Sequence, residues 1–216
     1  MSSHSISIDR AGWPFIALTA IPAALAFLFA QPVAGGWLLL IPAGIALFFR
    51  DPERRPPDGR DLVLAPADGR VMFAGEGRPG QMPPGTWLQV TIFLSPLDVH
   101  INRAPVSGLV TRVDYRAGRF LPAYRPDAYQ NEQSEIWFDH DGQVVVARQV
   151  VGVLARRVVC RLTSGERVDA GSRLGLMKFG SRMDVFVPVT ATLSVAAGQR
   201  VRGGETVIAR LSTGGH

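Results

Sequence analysis

The hydropathy pattern opens with an uncharged apolar stretch that runs from Trp13 to Phe49. Gln, Pro and Gly residues near its middle divide it into two runs, each about one bilayer long if helical. Prolines inside the runs do not exclude this interpretation, because membrane helices tolerate them better than soluble helices do. A secretory signal peptide is the alternative, but the block is too long and no cleavage site comes after it. The stretch predicts a membrane hairpin of helices at about 13–30 and 33–49, within an anchor of residues 1–50.

The pattern changes after a proline-rich linker, residues 51–61, to short runs of β-branched and aromatic residues between glycine turns. The runs are Leu62–Leu64, Arg70–Ala74, Trp87–Leu94, Gly108–Tyr115, Gln143–Val151 and Val158–Leu162. No long stretch shows the 3.6-residue periodicity of a soluble helix. Residues 62–216 are therefore predicted to form one mostly antiparallel β domain.

An internal repeat is visible in this domain, since Gly165–Gly171 returns as Gly198–Gly204, each followed by an apolar strand. Two similar hairpins predict a pseudo-symmetric sheet sandwich, although convergent turn chemistry would give the same short pattern. The pattern resembles the barrel-sandwich fold of biotinyl and lipoyl carrier domains. Residues 117–133 lack periodicity and are predicted to be a long surface loop that lines or covers a cleft.

Charge gives the anchor an orientation. Arg10 precedes the hairpin, Arg50, Arg54 and Arg55 come after it, and the turn between the helices is uncharged. The positive-inside rule therefore places both ends, and the β domain, on the cytoplasmic side of the cell membrane.

The net charge of +5 and the pI of about 10.3 come almost wholly from arginine, as Lys178 is the only lysine. Arginine beside a membrane suits anionic phospholipid head groups, although an ordinary solvated surface accounts for many of these residues. No nucleic-acid-binding motif accompanies the charge, so no nucleic-acid partner is predicted. Cys160 stands alone, which excludes an internal disulfide and a cysteine-based metal site, and no metal site is predicted.

The step Gly180-Ser181 lies between two strand-like apolar runs. Glycine imposes the least crowding before the serine, so the Ser181 hydroxyl can approach the preceding carbonyl and cut the backbone. Gly-Ser is also a common turn dipeptide, which is the simpler interpretation.

Two further residues complete a possible base-activated hydroxyl nucleophile. His100 lies in an apolar strand or strand end, and Asp68 lies in an Asp-Gly pair typical of a hairpin turn. A structural histidine and a turn-forming aspartate are the alternatives. The other histidines, His4, His140 and His216, are expected to be exposed and without function.

Four motifs occur in order along the chain: Phe48–Arg54, Pro66–Gly69, Leu97–Arg103 and Phe179–Ser181. Together with the anchor they resemble the phosphatidylserine decarboxylase proenzymes of the short bacterial and archaeal type. The resemblance covers essentially the whole chain, and the four ordered motifs are more specific than any one of them.

The resemblance implies that Ser181 attacks the Gly180 carbonyl and forms an ester by an N-to-O acyl shift. β-Elimination then gives dehydroalanine, which hydrolyses to a pyruvoyl group, the covalent cofactor that forms a Schiff base with the substrate amine. The products are a β chain, residues 1–180, and an α chain that begins at former Ser181, and the two stay associated. The implied reaction is phosphatidylserine to phosphatidylethanolamine. An independent argument is that the alternative cofactor, pyridoxal phosphate, needs a lysine, and Lys178 has no phosphate-binding glycine loop beside it.

By the same resemblance, His100 and Asp68 assist processing, and His100 later protonates the carbanion as a general acid. Longer relatives carry a second histidine where this chain has Arg103. Either His100 does both tasks, or Arg103 holds the substrate carboxylate or phosphate. Asn102, Glu132 and Lys178 are weaker candidates for substrate contacts.

Two other functions stay open on the sequence alone. A membrane-tethered biotinyl- or lipoyl-like adaptor without activity would remain one intact chain. A serine hydrolase would use Ser181 without cleavage, but the Gly-x-Ser-x-Gly elbow is missing. A homo-oligomer is possible with either function.

Overall fold

The computed structural model describes residues 6–153, 158–177 and 181–212. The chain divides into two compact units, Met1–Glu53 and Arg54–His216. The first is mostly helical and the second is built from strands.

The first unit contains three apolar helices and a short β ladder. Its elements are β1 (Ile6–Ile8), a 3₁₀ turn (Arg10–Gly12), α1 (Trp13–Leu28), α2 (Pro32–Leu38), α3 (Leu40–Phe48) and β2 (Arg50–Pro52), with β1 antiparallel to β2. The predicted second helix is thus split at Leu39. Pro42 explains the split, because it has no N–H for the Leu38 carbonyl and its ring crowds that carbonyl.

The segment Arg10–Leu28 is long and apolar enough to cross a membrane, with a mean hydropathy of 1.8, whereas Pro32–Phe48 is apolar but shorter. Many large apolar side chains of this unit are exposed, among them Leu18, Leu28, Val33 and Trp37. An apolar surface of this kind marks a contact with a membrane or a partner. It is weak evidence for membrane association.

The second unit is mostly β, as predicted. Its strands are β3 (Leu62–Leu64), β4 (Gly69–Glu76), β5 (Trp87–Leu94), β6 (Ile101–Arg103), β7 (Gly108–Arg116), β8 (Gln133–His140), β9 (Gln143–Val150), β10 (Val158–Cys160), β11 (Arg167–Val168), β12 (Arg173–Met177), β13 (Ser181–Pro188), β14 (Thr192–Leu193), β15 (Arg200–Val201) and β16 (Val207–Arg210). A second 3₁₀ turn, Pro126–Gln130, precedes β8.

Eight of these strands form one antiparallel sheet in the order β11-β7-β8-β9-β13-β5-β4-β15. Two three-stranded sheets, β10-β12-β6 and β14-β16-β3, accompany it. The main apolar core contains Met183, Val185 and Val187 from one face of β13. Since side chains alternate along a strand, Ser181 lies on this core face, and Arg182, Asp184 and Phe186 lie on the opposite face.

The internal repeat predicted from the glycine loops is present in the structure. The Gly171 N–H donates to the Ala104 carbonyl, and the Gly204 N–H donates in the same way to the Ala65 carbonyl, both at 2.8 Å. The two connections between strands, 65–68 and 104–107, lead into glycines with similar φ, 157° at Gly69 and 153° at Gly108. A Cβ at either glycine would overlap a carbonyl oxygen of the neighbouring strand. The repeat therefore includes the strand connections as well as the glycine loops.

Three local expectations need correction. The Asp68-Gly69 pair is no hairpin turn, because β3 and β4 belong to different sheets. His140 is buried and not exposed, and its Nδ1 donates to the carbonyl of Ser107, just before β7, at 2.6 Å. The loop predicted at 117–133 is one residue shorter than expected, because Gln133 is already the first residue of β8.

Candidate active site

Five neighbouring strands of the large sheet begin or end at the same end of the sheet. In order across the sheet, these terminal residues are Gln133, Val150, Ser181, Leu94 and Gly69. Glu132 and Asp68 each precede such a strand and therefore flank Ser181, each two strands away. At about 4.8 Å per strand, each backbone lies roughly 10 Å from that of Ser181.

Ser181 is the first residue of β13, where it pairs with Leu94 of β5. Its side chain is fully buried, and its Oγ has no hydrogen-bond partner among the described residues. A buried hydroxyl without a partner costs free energy and is uncommon in native proteins. The arrangement leaves the hydroxyl available for chemistry at the peptide bond before it.

His100 is also buried and lies directly before β6. Its Nδ1 donates to the Asp98 carbonyl at 2.8 Å, and its own carbonyl accepts from the Met177 N–H at 3.3 Å. Because Nδ1 carries the proton of the neutral ring, Nε2 carries the lone pair and can accept a proton. The Met177 contact ties His100 to the strand that leads towards Ser181.

Asp68 is held by a charged contact that the sequence analysis missed. Its carboxylate accepts from the Arg54 guanidinium at 2.8 and 3.0 Å and from the Gly203 N–H at 2.8 Å. In the other half of the repeat, the Ser107 hydroxyl accepts from the Ala170 N–H at 2.8 Å, which corresponds to the Gly203 contact. The bond from the Gly203 N–H to Asp68 therefore has an equivalent in the other half of the repeat. The ion pair with Arg54 belongs to the Asp68 half.

A buried amide pair lies on the same face of the sheet as Ser181. Gln149 faces Met183 across β9 and β13, and its Nε2 donates to Asn102 Oδ1 at 2.8 Å. The diagonal from Gln149 to Ser181 is about 7–8 Å at the backbone. Asn102 Nδ2 and Gln149 Oε1 are buried and have no partner within the described parts of the chain. A polar Gln149 among valines in β9 was the available sequence signal for this pair.

The other predicted residues differ in how far the structure describes them. Arg103 is buried, and one of its guanidinium nitrogens donates to the Gly171 carbonyl at 3.0 Å. Glu132 is buried at the end of the long loop, and its carboxylate accepts from the Val158 N–H at 3.3 Å. Lys178 and Gly180, like His4 and His216, lie outside the described residues. The substrate contacts assigned to these side chains stay predictions.

Cys160 lies in β10, and burial raises the pKa of its thiol above the usual value. The thiolate is the nucleophilic form of cysteine, so a raised pKa lowers its reactivity near neutral pH.

Sequence comparison identifies the family. A family model for phosphatidylserine decarboxylase matches residues 43–209. A phosphatidylserine decarboxylase proenzyme of Pelodictyon phaeoclathratiforme is 47% identical over 164 residues, which cover 76% of this chain and 77% of the relative. The proenzyme of Chlorobium limicola is 43% identical over 210 residues, or 92% and 97% of the two chains. That of Polynucleobacter asymbioticus is 39% identical over 213 residues, 98% of each. The chain therefore belongs to the phosphatidylserine decarboxylase family.

Proposed function

We propose that this protein cuts its own chain before Ser181 and then decarboxylates phosphatidylserine to phosphatidylethanolamine. The observation that carries the proposal is the buried Ser181 hydroxyl, which has no partner in the described structure and begins a central strand. The family membership gives the reaction, and the alternative of an inactive adaptor has no observation in its favour.

In the processing step, Ser181 Oγ bonds to the Gly180 carbonyl carbon while the C–N bond between the two residues breaks, which gives an ester. β-Elimination then breaks the Ser181 Cβ–Oγ bond and releases Gly180 as a free carboxylate, so that the chain is cut. The proton of the hydroxyl passes to the departing amine, with His100 Nε2 as the relay. Asp68 acts as a positioning residue, because its backbone lies roughly 10 Å from that of Ser181. Through Arg54 and Gly203 it fixes the chain that enters β4 beside β5.

The residues around Ser181 fit a pyruvoyl group made from this serine. The Ser181 hydroxyl is buried, and Gln149 on the same face of the sheet bonds the Asn102 amide, whose Nδ2 donors have no acceptor among the described residues. Such a group supplies the carbonyl electron sink that amino-acid decarboxylation requires. The chain's own residues bind and orient the substrate and move protons. The Asn102 Nδ2 donors suit the substrate carboxylate, Arg103 suits its carboxylate or phosphate, and His100 returns a proton to the product carbon.

The cellular location of the reaction is inferred from the apolar helices of the first unit and from the arginines beside them. The apolar helices hold the enzyme at the cell membrane, and the arginines beside them place the β domain on the cytoplasmic side. The α and β chains remain one enzyme after cleavage. The repeat around Ala65 and Ala104 favours the finer fold assignment, a barrel sandwich like those of biotinyl and lipoyl domains.

The test uses vesicles of phosphatidylserine and the full chain in nonionic detergent, with phosphatidylethanolamine measured by mass spectrometry. Wild-type protein should form the product, and Ser181→Ala should lower the rate by at least about a thousandfold. Ser212→Ala is the matched control, because Ser212 is an exposed serine that bonds Thr190 at 3.2 Å, and its rate should equal that of wild type. Product formation by Ser181→Ala at the wild-type rate would refute the proposal.

A further inference from the structure

Exposed apolar side chains lie on loops at the end of the large sheet where Ser181 begins β13. Leu97 lies between β5 and β6 and is 79% exposed. Phe120 and Tyr124 lie in the long loop before β8, and Tyr124 is 61% exposed. Val153 follows β9 and is 52% exposed. Because β5, β8 and β9 all reach the Ser181 end of the sheet, three separate segments bring apolar side chains to this end.

Specific contacts hold two of these loops in place. The Ser95 N–H donates to the Asp98 carboxylate at 2.8 Å, and the Asp98 N–H donates to the Ser95 carbonyl at 3.0 Å. A tight turn therefore presents Leu97 near its tip. The Tyr124 ring packs edge-on against Phe93, with ring centroids 6.1 Å apart. The contacts fix both loops with the side chains of Leu97 and Tyr124 mostly in solvent.

The exposed aromatic residues of the second unit are concentrated at the same end. Within the described residues of this unit they are Tyr115, Phe120 and Tyr124, and Tyr115 lies one residue before the end of β7. A single exposed apolar residue is normal on a protein surface, whereas several in one region mark an interaction site. Aromatic residues are enriched where a protein meets the interface between lipid and water.

Positive charge accompanies the apolar side chains. Exposed arginines lie at the Ser181 end on the loops and on the strand ends beside them: Arg70, Arg116, Arg119, Arg125 and Arg200. Arg119 and Arg125 directly adjoin the exposed aromatic residues of the long loop in sequence. Asp127 contacts Arg125 at 2.9 Å and Asp98 contacts Arg200 at 3.6 Å, so the arginines outnumber the carboxylates that contact them among the described residues. An excess of positive charge suits an anionic lipid surface.

We propose that the Ser181 end of the β domain lies on the membrane surface, with Leu97, Phe120 and Tyr124 in the head-group region of an anionic phospholipid bilayer. The apolar side chains leave water there, and the arginines contact lipid phosphates. This contact is additional to the attachment through the apolar helices. The inference rests on the proposed function for its consequence, which is that a phosphatidylserine head group reaches Ser181 without leaving the bilayer.

The test places a fluorophore at either end of the sheet in the full-length Ser181→Ala protein, reconstituted in nanodiscs of phosphatidylcholine and phosphatidylglycerol. Cys160→Ser removes the single native thiol, and Leu97→Cys or Phe120→Cys adds one for a nitrobenzoxadiazole label. Val189→Cys is the matched control, because Val189 follows the opposite end of β13 and is 52% exposed. A lipid with a spin label on its acyl chain then quenches the labels that lie in the bilayer.

The labels at positions 97 and 120 should be quenched at least about fivefold more than the label at position 189, because the two ends of β13 lie roughly 25 Å apart. Their quenching should fall when phosphatidylglycerol is left out of the nanodiscs. Equal quenching at the two ends, or greater quenching at position 189, would overturn the proposal. A blue-shifted emission without quenching by the lipid would identify a protein partner, such as a second copy of this chain, and would also overturn it.

These measurements separate the membrane contact from the proposed chemistry. Ser181→Ala has no hydroxyl for the cleavage, so the quenching depends on neither cleavage nor decarboxylation. A denaturing gel of the wild-type chain reports the cleavage independently.

Discussion

At the scale of single residues, the proposed positioning role of Asp68 depends on two contacts, with Arg54 and with the Gly203 N–H, that substitutions can separate. Asp68→Asn keeps an oxygen for the Gly203 N–H but loses the charge opposite Arg54. We expect this substitution to slow the cleavage before Ser181 by about tenfold or more. The Ser181 hydroxyl attacks the peptide bond more slowly when the strands that position it are displaced. A time course of cleavage after cell-free synthesis, monitored on denaturing gels, measures the rate.

Arg54→Gln and Glu205→Gln are the matched controls for Asp68. Arg54 contacts both carboxylates, and Glu205 is its second partner at 3.4 Å. Glu205→Gln should mature normally, and Arg54→Gln should be slowed about as much as Asp68→Asn, because both variants lose the ion pair between Arg54 and Asp68. Normal maturation of Arg54→Gln would contradict a positioning role of Asp68 through this ion pair.

The amide pair gives a second prediction at this scale. Gln149→Leu removes the donor to Asn102 and leaves a buried amide without a partner, at a cost of about 1–3 kcal/mol in the free energy of unfolding. The double variant Asn102→Leu/Gln149→Leu should lose less than the sum of the single variants, because it removes both orphaned groups. Urea titration of these variants in the Ser181→Ala background, monitored by tryptophan fluorescence, measures the losses.

Gln143→Leu is the control for the amide pair. The Gln143 side chain bonds the exposed Ser212 carbonyl at 3.0 Å, so its loss should change the stability by no more than about 0.5 kcal/mol. Additive losses in the double variant would contradict the coupling between Asn102 and Gln149.

At the scale of strands and helices, the position of β13 determines whether the two chains stay together after cleavage. β13 pairs with β5 on one side and β9 on the other, so a cut before Ser181 frees only the start of a strand that is bonded on both edges. The α and β chains should therefore coelute on size-exclusion chromatography in nonionic detergent and separate in dodecyl sulfate. Loss of the α chain under native conditions would contradict the central position of β13.

The sequence predicted strands well where short apolar runs end at glycine or polar turns. β3 and β5 were predicted with their observed bounds, and the glycine loops at 165–171 and 198–204 predicted the repeat. It could not assign Asp68 to a connection between two sheets, because the Asp-Gly signal is local and sheet membership depends on distant partners. The buried state of His140 and the Arg54–Asp68 ion pair depend on residues far along the chain for the same reason.

At the scale of the whole molecule, the apolar first unit predicts firm attachment to lipid. Side chains such as Leu28 and Trp37 are more than two-thirds exposed, at 76% and 70%, which favours their insertion into the bilayer. The full chain should float with phospholipid vesicles in a density gradient even at about 1 M salt, where surface electrostatic attraction is screened. Release by salt would mean that the arginines, and not the helices, hold the protein at the membrane.

The most direct test of the proposed self-cleavage is the intact mass of the purified wild-type chain under denaturing conditions. We predict fragments that correspond to residues 1–180 and 181–216, with a pyruvoyl group in place of Ser181 at the start of the shorter one. A single uncut chain in a preparation that decarboxylates phosphatidylserine, with an ordinary serine at position 181, would contradict self-cleavage and the pyruvoyl group together.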